Sequence, residues 1–381
     1  MAQVLIRPVV LRWALERSGK AQEELERRFP KLAAWLQGSG GPTLRQAQQL
    51  AAAVGLPLGY LLLPEPPEER LALPFLRTRE GNMARRPSPE LLETVRVMQW
   101  RQDWLREYRR ELGHSPLAFV GSARPGADPG RLALRMRAAL GLAAGWAAGA
   151  ATWEDALRTL RERMEEAGVT VCVSGIVGNN TRRALRVAEF RGFVLVDGHA
   201  PWVFVNGADA KAAQMFTLAH ELAHLWYGVS AAFDLAELQP AGDAAERRCD
   251  AAAAEFLVPA RELAERWPAV ARRPDRWQRL ARTFKVSALA AARRALDLEL
   301  VSREEFRALY REYLRREQGR GTTQSGGNFY ATQRLRLGRS FAAAVVRAAR
   351  EGSLLYREAY QLTGLYGRTF EEFTLRMGEP G

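Results

Sequence analysis

Cysteine is scarce in this sequence, and neither a membrane-spanning run nor an export signal stands out. Its two cysteines, Cys172 and Cys249, lie far apart among apolar neighbours, so we expect two buried thiols in a reducing compartment rather than a disulfide scaffold. No apolar run approaches the ~20 residues that a membrane-spanning helix needs. A secretory signal pattern is not expected either, because Arg7 and Pro8 end the first short apolar run. These features favour a cytoplasmic protein.

Lysine is scarce as well, and arginine supplies nearly all of the positive charge. The lysines are Lys20, Lys31, Lys211 and Lys285, yet the formal net charge is +13 and the isoelectric point is near 10.3. Such a charge suits a partner with a negative surface, above all nucleic acid. Heavy use of Arg, Ala, Leu and Gly as a compositional habit would give the same charge. Charge alone leaves both explanations open.

The first 63 residues have the pattern of a compact helical unit. Val10, Leu11, Ala14 and Leu15 fall on one helix face. Further helices are predicted over residues 21–28 and 30–37, and Thr43 is a suitable N-cap for a helix that continues to residue 53. Because 381 residues exceed what one hydrophobic core usually supports, we expect further folding units beyond this one.

The remainder predicts an α+β protein that is predominantly helical. A Pro-rich linker is expected at 64–87, followed by a helical connecting region at 88–167 that begins with a long helix from Pro89 to about Glu111. Residues 168–270 hold a small sheet of about three strands, from the β-branched and aromatic runs at 169–173, 190–196 and 202–205, and two helices near 210–227 and 243–257. A small helical unit at 271–301 and a C-terminal helical domain at 302–381 follow, the latter with two or three helices after a Gly-rich break.

A His-Glu-Leu-Ala-His motif at residues 220–224 carries the clearest chemistry. On a helix, His220 and His224 lie one turn apart on the same face, where both imidazoles can bind one zinc ion. Glu221 can then act as a general base on the water that attacks a substrate. Leu218, Leu222 and Leu225 would anchor the helix in a core. The pattern indicates a gluzincin-type zinc protease centre.

The third ligand comes from a second predicted helix. Glu246 is favoured because Asp250 follows it by one turn, in position to hydrogen-bond a ligand histidine and fix its tautomer. Glu237, Asp243 and Glu255 are rival third ligands. The alternative interpretation is that Glu246 and Asp250 are solvated residues on the surface of a helix. A protease also needs a group that stabilises the oxyanion of the tetrahedral intermediate. Tyr227, His199 and Arg182 are candidates by residue type, but their spacing from the motif favours none of them.

The quoted motifs resemble the ImmA/IrrE metallo-endopeptidase family. The resemblance rests on residues 189–193, 201–206, 216–224 and 246–259. It implies that His220, His224 and Glu246 hold Zn²⁺ and that Glu221 is the base. Many members have Asn where Asp250 stands.

Residues 1–63 resemble a Cro/cI-type (Xre) helix-turn-helix domain, and residues 271–301 resemble a second, smaller helix-turn-helix-like unit. In the first, the recognition helix would be 30–37, where Lys31 and Gln37 are the side chains suited to reading bases. The other side chains of that helix are Leu, Ala and Trp, so the unit could instead dock on another protein.

Two functions follow from the resemblance. The first is a regulatory zinc endopeptidase that cleaves or controls a DNA-binding transcriptional repressor under stress and is coupled to its own helix-turn-helix domain. The alternative is a DNA-binding regulator or toxin–antitoxin antitoxin, paired with a small PIN-like nuclease, in which the zincin domain is structural or inactive. Arginines of the C-terminal helices fit DNA binding too, although such residues are usually solvated surface.

Overall fold

The computed structural model describes residues 3–67, 87–124, 126–229, 231–233, 244–317 and 328–377. Most of the predicted linker, the Gly-rich break, Glu237 and Asp243 lie outside the described residues. The described chain falls into two compact units, the first from residues 3–67 with 87–95 and the second from residue 96 onward. No helix within the described ranges has the length and apolar character to cross a membrane.

The first unit contains five short helices before residue 62. They are α1 (Pro8–Ser18), α2 (Gln22–Arg28), α3 (Leu32–Leu36), α4 (Leu44–Ala53) and α5 (Leu58–Leu61). The buried residues of α1 are the four that the periodicity predicts, Val10, Leu11, Ala14 and Leu15. Thr43 caps α4 as expected, and its hydroxyl and Gln46 form a reciprocal capping box. The predicted helices of this region are therefore confirmed, whereas its helix-turn-helix identity stays a prediction.

The second unit is mostly helical and holds two small sheets. Its helices are α6 (Pro89–Glu111, which begins in the first unit), α7 (Pro129–Ala139), the 3-10 turn η1 (Trp146–Gly149), α8 (Trp153–Glu166), α9 (Lys211–Tyr227), α10 (Ala244–Leu257), α11 (Ala260–Val270), α12 (Arg276–Phe284), α13 (Ala288–Asp297), α14 (Arg303–Glu317), α15 (Phe329–Leu337), α16 (Arg339–Glu351), α17 (Tyr356–Thr363) and α18 (Arg368–Met377). Its strands are β1 (Thr170–Ser174), β2 (Ile176–Val177), β3 (Asn180–Ala184), β4 (Gly192–Leu195), β5 (Trp202–Asn206) and β6 (Ala231–Phe233). The predominantly helical α+β class is confirmed.

The three predicted strands, β1, β4 and β5, form the centre of a sheet with the order β1-β5-β4-β6. β1 and β5 are parallel, and β4 is antiparallel to both β5 and β6. β6 and the β2–β3 hairpin were not predicted, because both β6 and β2 are too short to show a strand period. The described residues 328–377 form four helices rather than the two or three expected, since Gly338 divides 329–351 into α15 and α16.

Helix α9 crosses the sheet against β4 and β5, and α10 packs between α9 and α7. Twelve residues of α9 are buried, so its apolar surface extends around the helix as expected of a core element. Cys172 and Cys249 are both buried and free, as predicted. Burial raises the pKa of each thiol, so both remain protonated.

The C-terminal end of α9 is held by a separate segment of chain. The Gly121 and Ala123 amides donate to the carbonyls of Leu225 and Trp226, both at 2.8 Å. The α9 C-cap, Gly228, is left-handed with φ 71°, and a Cβ there would lie 3.1 Å from the Gly121 Cα. The helix that carries the motif therefore ends at a tight backbone crossing.

Replacing Gly228 with Ala should lower the free energy of unfolding by roughly 2–3 kcal/mol, because the left-handed backbone strain adds to the clash with Gly121. Gly352→Ala is the matched control: this α16 C-cap has φ 76°, and nothing lies within 4 Å of an added Cβ. We expect the control to cost only about 1 kcal/mol. Guanidinium unfolding followed by tryptophan fluorescence measures both, and equal losses would contradict the importance of the crossing.

Candidate metal centre

Three side chains from two helices converge at one point. His220 and His224, one turn apart on α9, have ring centroids 4.8 Å apart, and their Nε2 atoms are separated by 3.0 Å. Glu246, in the first turn of α10, places one oxygen 3.1 Å from each of these nitrogens. The possible ligand atoms of the three residues all lie within 4.8 Å of one another. The structure thus brings together the three residues that the sequence predicts as ligands.

Asp250 lies one helical turn beyond Glu246 and contacts the other side of the first histidine. Its Oδ1 is 2.9 Å from the Nδ1 of His220. Because a carboxylate accepts, the Nδ1 of His220 carries the proton and donates it to Asp250. The Nε2 of a neutral His220 then presents a lone pair to the Glu246 carboxylate, which is an acceptor as well. Two facing acceptors require a cation between them.

The pKa shifts of these side chains indicate the same need for a cation between them. Burial disfavours a charged His220, but hydrogen bonds to Asp250 and Glu246 outweigh burial and raise its pKa. Burial also favours a protonated Glu246, yet hydrogen bonds from the two histidines outweigh it and lower the pKa of this carboxyl. For His224, burial is the largest influence and lowers the pKa. A proton fills the role in this arrangement that a metal cation can take with the same donors.

The donor set fits zinc. Two imidazole nitrogens and one carboxylate are the three protein ligands of many catalytic zinc sites, which leave one position for water or substrate. All three ligands are at most 4% exposed, and the described residues hold no other group of three or more clustered His, Cys, Asp or Glu side chains. His220, His224 and Glu246 would therefore hold the ion, and Asp250 would orient His220 from outside the ligand set.

Glu221 is fully buried, and neither of its carboxylate oxygens has a hydrogen-bond partner among the described residues. Burial raises its pKa well above the ordinary range, with the nearby Glu246 charge acting in the same direction and His220 opposing it. A buried carboxyl group without a hydrogen-bond partner lowers the stability of the folded protein. Its presence here therefore indicates a role other than stabilising the fold. Its position next to the ligand cluster fits the predicted general base.

Gly192, at the start of β4, makes room for this carboxylate, a contact that the motif analysis missed. A Cβ at Gly192 would lie 3.3 Å from the Glu221 Oε1 and only 2.6 Å from the Thr217 Cγ2. Strand β4 can therefore approach α9 at the level of the base. A glycine inside a strand is itself a sequence signal for close backbone approach, and it could have identified this residue.

The other predicted residues are not among the three ligands that the structure brings together. Glu255 is tied to Arg294 in an ion pair and accepts the Ala260 amide, so the structure rejects it as a rival third ligand. Among the oxyanion candidates, Arg182 is on the exposed β3, and His199 belongs to the turn between β4 and β5, where its carbonyl accepts from Arg109. The Tyr227 ring lies beneath the guanidinium of Arg248. Lys31 and Gln37 flank α3 in the first unit, and both are exposed.

Glu246→Ala should reduce zinc from about one ion per chain to almost none, because three protein ligands are the minimum of a stable site of this kind. Glu237→Ala and Asp243→Ala, which remove the two rivals outside the described residues, should leave the content unchanged. Asp250→Ala should weaken zinc affinity by about tenfold to a hundredfold. Elemental analysis and chelator competition measure these values. Loss of zinc in a rival variant but not in Glu246→Ala would reassign the third ligand.

The comparisons with known proteins match two parts of the chain. Residues 164–296 match the family model described as IrrE N-terminal-like domain, of the peptidase family M78. Residues 337–376 match a domain of unknown function, DUF8813. No curated protein and no solved structure matches the chain. The region that contains β1, β5, α9 and α10 is therefore similar to the ImmA/IrrE group of metallopeptidases.

Proposed function

We propose that the protein is a zinc-dependent endopeptidase whose centre is His220, His224 and Glu246, with Glu221 as the general base. The observation that carries this proposal is the buried carboxylate of Glu221, which has no hydrogen-bond partner within the described part of the chain and lies beside three converging ligands. The match of residues 164–296 to a peptidase family supports it. A structural zinc site would have no use for a free carboxylate at that place.

Zinc in this site would polarise the peptide carbonyl and lower the pKa of a water molecule. Glu221, which follows His220 on α9, takes a proton from the water that attacks the carbonyl carbon. It then delivers the proton to the leaving amine nitrogen as the C–N bond breaks. Asp250 keeps the proton of His220 on Nδ1, so that Nε2 stays available as a ligand.

We propose as substrate class the DNA-binding repressors, cut in or near their own helix-turn-helix regions. This step rests on the resemblance to the ImmA/IrrE family and on the N-terminal helical unit, which would bring the peptidase to DNA or to a DNA-bound protein. The net charge of +13 also favours binding to DNA.

Glu221→Gln should lower the rate at which repressors encoded beside the gene are cleaved by about a thousandfold or more. A glutamine cannot take the proton of the attacking water, and both proton transfer and the positioning of that water are then lost. Zinc content should stay at the wild-type level, because Glu221 is not a ligand. Glu154→Gln, on the exposed first turn of α8, is the matched control and should cleave normally. Normal cleavage by a zinc-loaded Glu221→Gln variant would exclude this mechanism.

A second function, DNA binding by the first unit, is proposed from the exposure of Lys31 and Gln37 at the two ends of α3. In this alternative the protein acts as a regulator or an antitoxin with a PIN-like nuclease as partner, and the zincin domain serves structure. The two functions are compatible, since a DNA-binding unit can deliver a peptidase to a repressor.

Binding to its own promoter fragment should weaken steeply as salt rises, because each phosphate contact releases a counterion. Lys31→Ala should weaken specific binding by at least about fivefold, the loss of roughly 1 kcal/mol for one base contact. Lys211→Ala removes the same charge from an exposed position at the start of α9 and should bind as the wild type does. Fluorescence anisotropy at several salt concentrations measures both. Equal binding by both variants would count against base reading through α3.

A further inference from the structure

Strand β6 occupies the edge of β4 next to the proposed base. Its register on β4 places Phe233 opposite Gly192, Ala232 opposite Phe193 and Ala231 opposite Val194. Gly192 is also the β4 residue whose added Cβ would lie 3.3 Å from Glu221 Oε1. The outer strand of the sheet is thus paired at the level where the chemistry would occur.

An extended peptide commonly binds a protein by adding to a sheet edge, where backbone hydrogen bonds hold it in register. Strands lie about 4.8 Å apart, so a peptide paired directly with β4 would pass within reach of Glu221. A peptide added outside β6 would lie about 10 Å from β4, beyond hydrogen-bond reach of the base even through one water molecule. The position that a peptide substrate needs is the position that β6 fills.

We propose that β6 is a built-in inhibitory strand: it holds the substrate position on β4, and cleavage requires it to leave that edge. This inference rests on the proposed endopeptidase function and adds a control on access to it. His220, Glu221, His224 and Glu246 are all at most 4% exposed, which agrees with a closed site. The class of occupant that would replace β6 is an extended peptide segment.

The chain is built so that β6 can leave without disturbing the ligands. The end of α9 is held by amides of Gly121 and Ala123, which do not belong to β6. Phe119 stacks on Trp226 at 4.4 Å and adds a second anchor to the same end. β6 itself is only three residues long. Release therefore breaks one short strand pairing and leaves the helix in place.

A disulfide between β6 and β4 tests the proposal. Paired residues of antiparallel strands have Cα atoms about 4.5–5.5 Å apart, inside the range that a disulfide spans. Val194→Cys with Ala231→Cys should close the site when oxidised and reopen it with a phosphine reductant. We expect cleavage by the oxidised form to fall at least about tenfold and to recover on reduction, at constant zinc content. The native Cys172 and Cys249 are buried and should not exchange.

Two further proteins complete the design. Ile176→Cys with Ala184→Cys places the same cross-link in the β2–β3 hairpin, whose register pairs these residues, and should leave cleavage unchanged in both redox states. Ala232→Pro removes the ability of β6 to pair as a strand and should raise kcat/KM by up to about tenfold if the open form is a tenth of the population. A lower kcat/KM in a zinc-loaded, folded Ala232→Pro protein would overturn the proposal.

Binding of a tripeptide hydroxamate, acetyl-Ala-Ala-Ala-NHOH, gives a readout that does not need cleavage. It should bind two zinc-loaded proteins, the reduced form of the Val194→Cys/Ala231→Cys variant and the Ala232→Pro variant. It should bind the oxidised form of the double-cysteine variant at least about tenfold more weakly. If this dependence appears while no form cleaves any protein, the control by β6 stands and the endopeptidase function falls. If the cross-link leaves cleavage unchanged, the inhibitory role of β6 is rejected and the endopeptidase function stands. Absence of hydroxamate binding to the reduced and proline forms also rejects β6.

Discussion

The arrangement of the second unit depends on three buried side chains that need a cation between them. The Nδ1–H of His220 donates a hydrogen bond to Asp250, so the Nε2 of His220 faces the carboxylate of Glu246 at 3.1 Å as one acceptor faces another. In a dry interior such a contact is strongly unfavourable, because no water can separate the two groups. A proton or a metal ion converts it into an attraction. The neighbouring helices must hold this arrangement whichever cation is present.

The scaffold around the centre supplies that rigidity through α10. This helix carries Glu246 and Asp250 near its start, and buried arginines bind the carbonyls at its end. Arg137 donates to the carbonyls of Glu255 and Phe256, and Arg294 donates to that of Val258. Cations at a helix C-terminus are favourable, and buried ones also restrict its position. Helix α10 is therefore fixed at the end opposite its ligands, while α9 is fixed at the crossing with Gly121.

Features encoded in short local patterns could be predicted from the sequence. The buried face of α1, the Thr43 cap and the position of His220 and His224 on one face of a helix follow from helical spacing and residue chemistry. Features that depend on contacts distant in sequence could not. Strand β6 has too few residues for a period, and the exclusion of Glu255 as a ligand depends on Arg294, 39 residues away. Gly192 was recognised only as part of a motif, because its approach to Glu221 is a tertiary contact.

The depth of the ligands has a consequence for how the centre would acquire its ion. The ligand side chains are 0–4% exposed and lie on helices packed into the main core. An ion held at that depth leaves only when the surrounding structure opens locally, which is slow for core elements. Exchange would then lag far behind changes in the metal supply of the cell. The metal in each molecule would record the supply at the time that molecule folded, so newly made and old copies could differ in metal content within one cell.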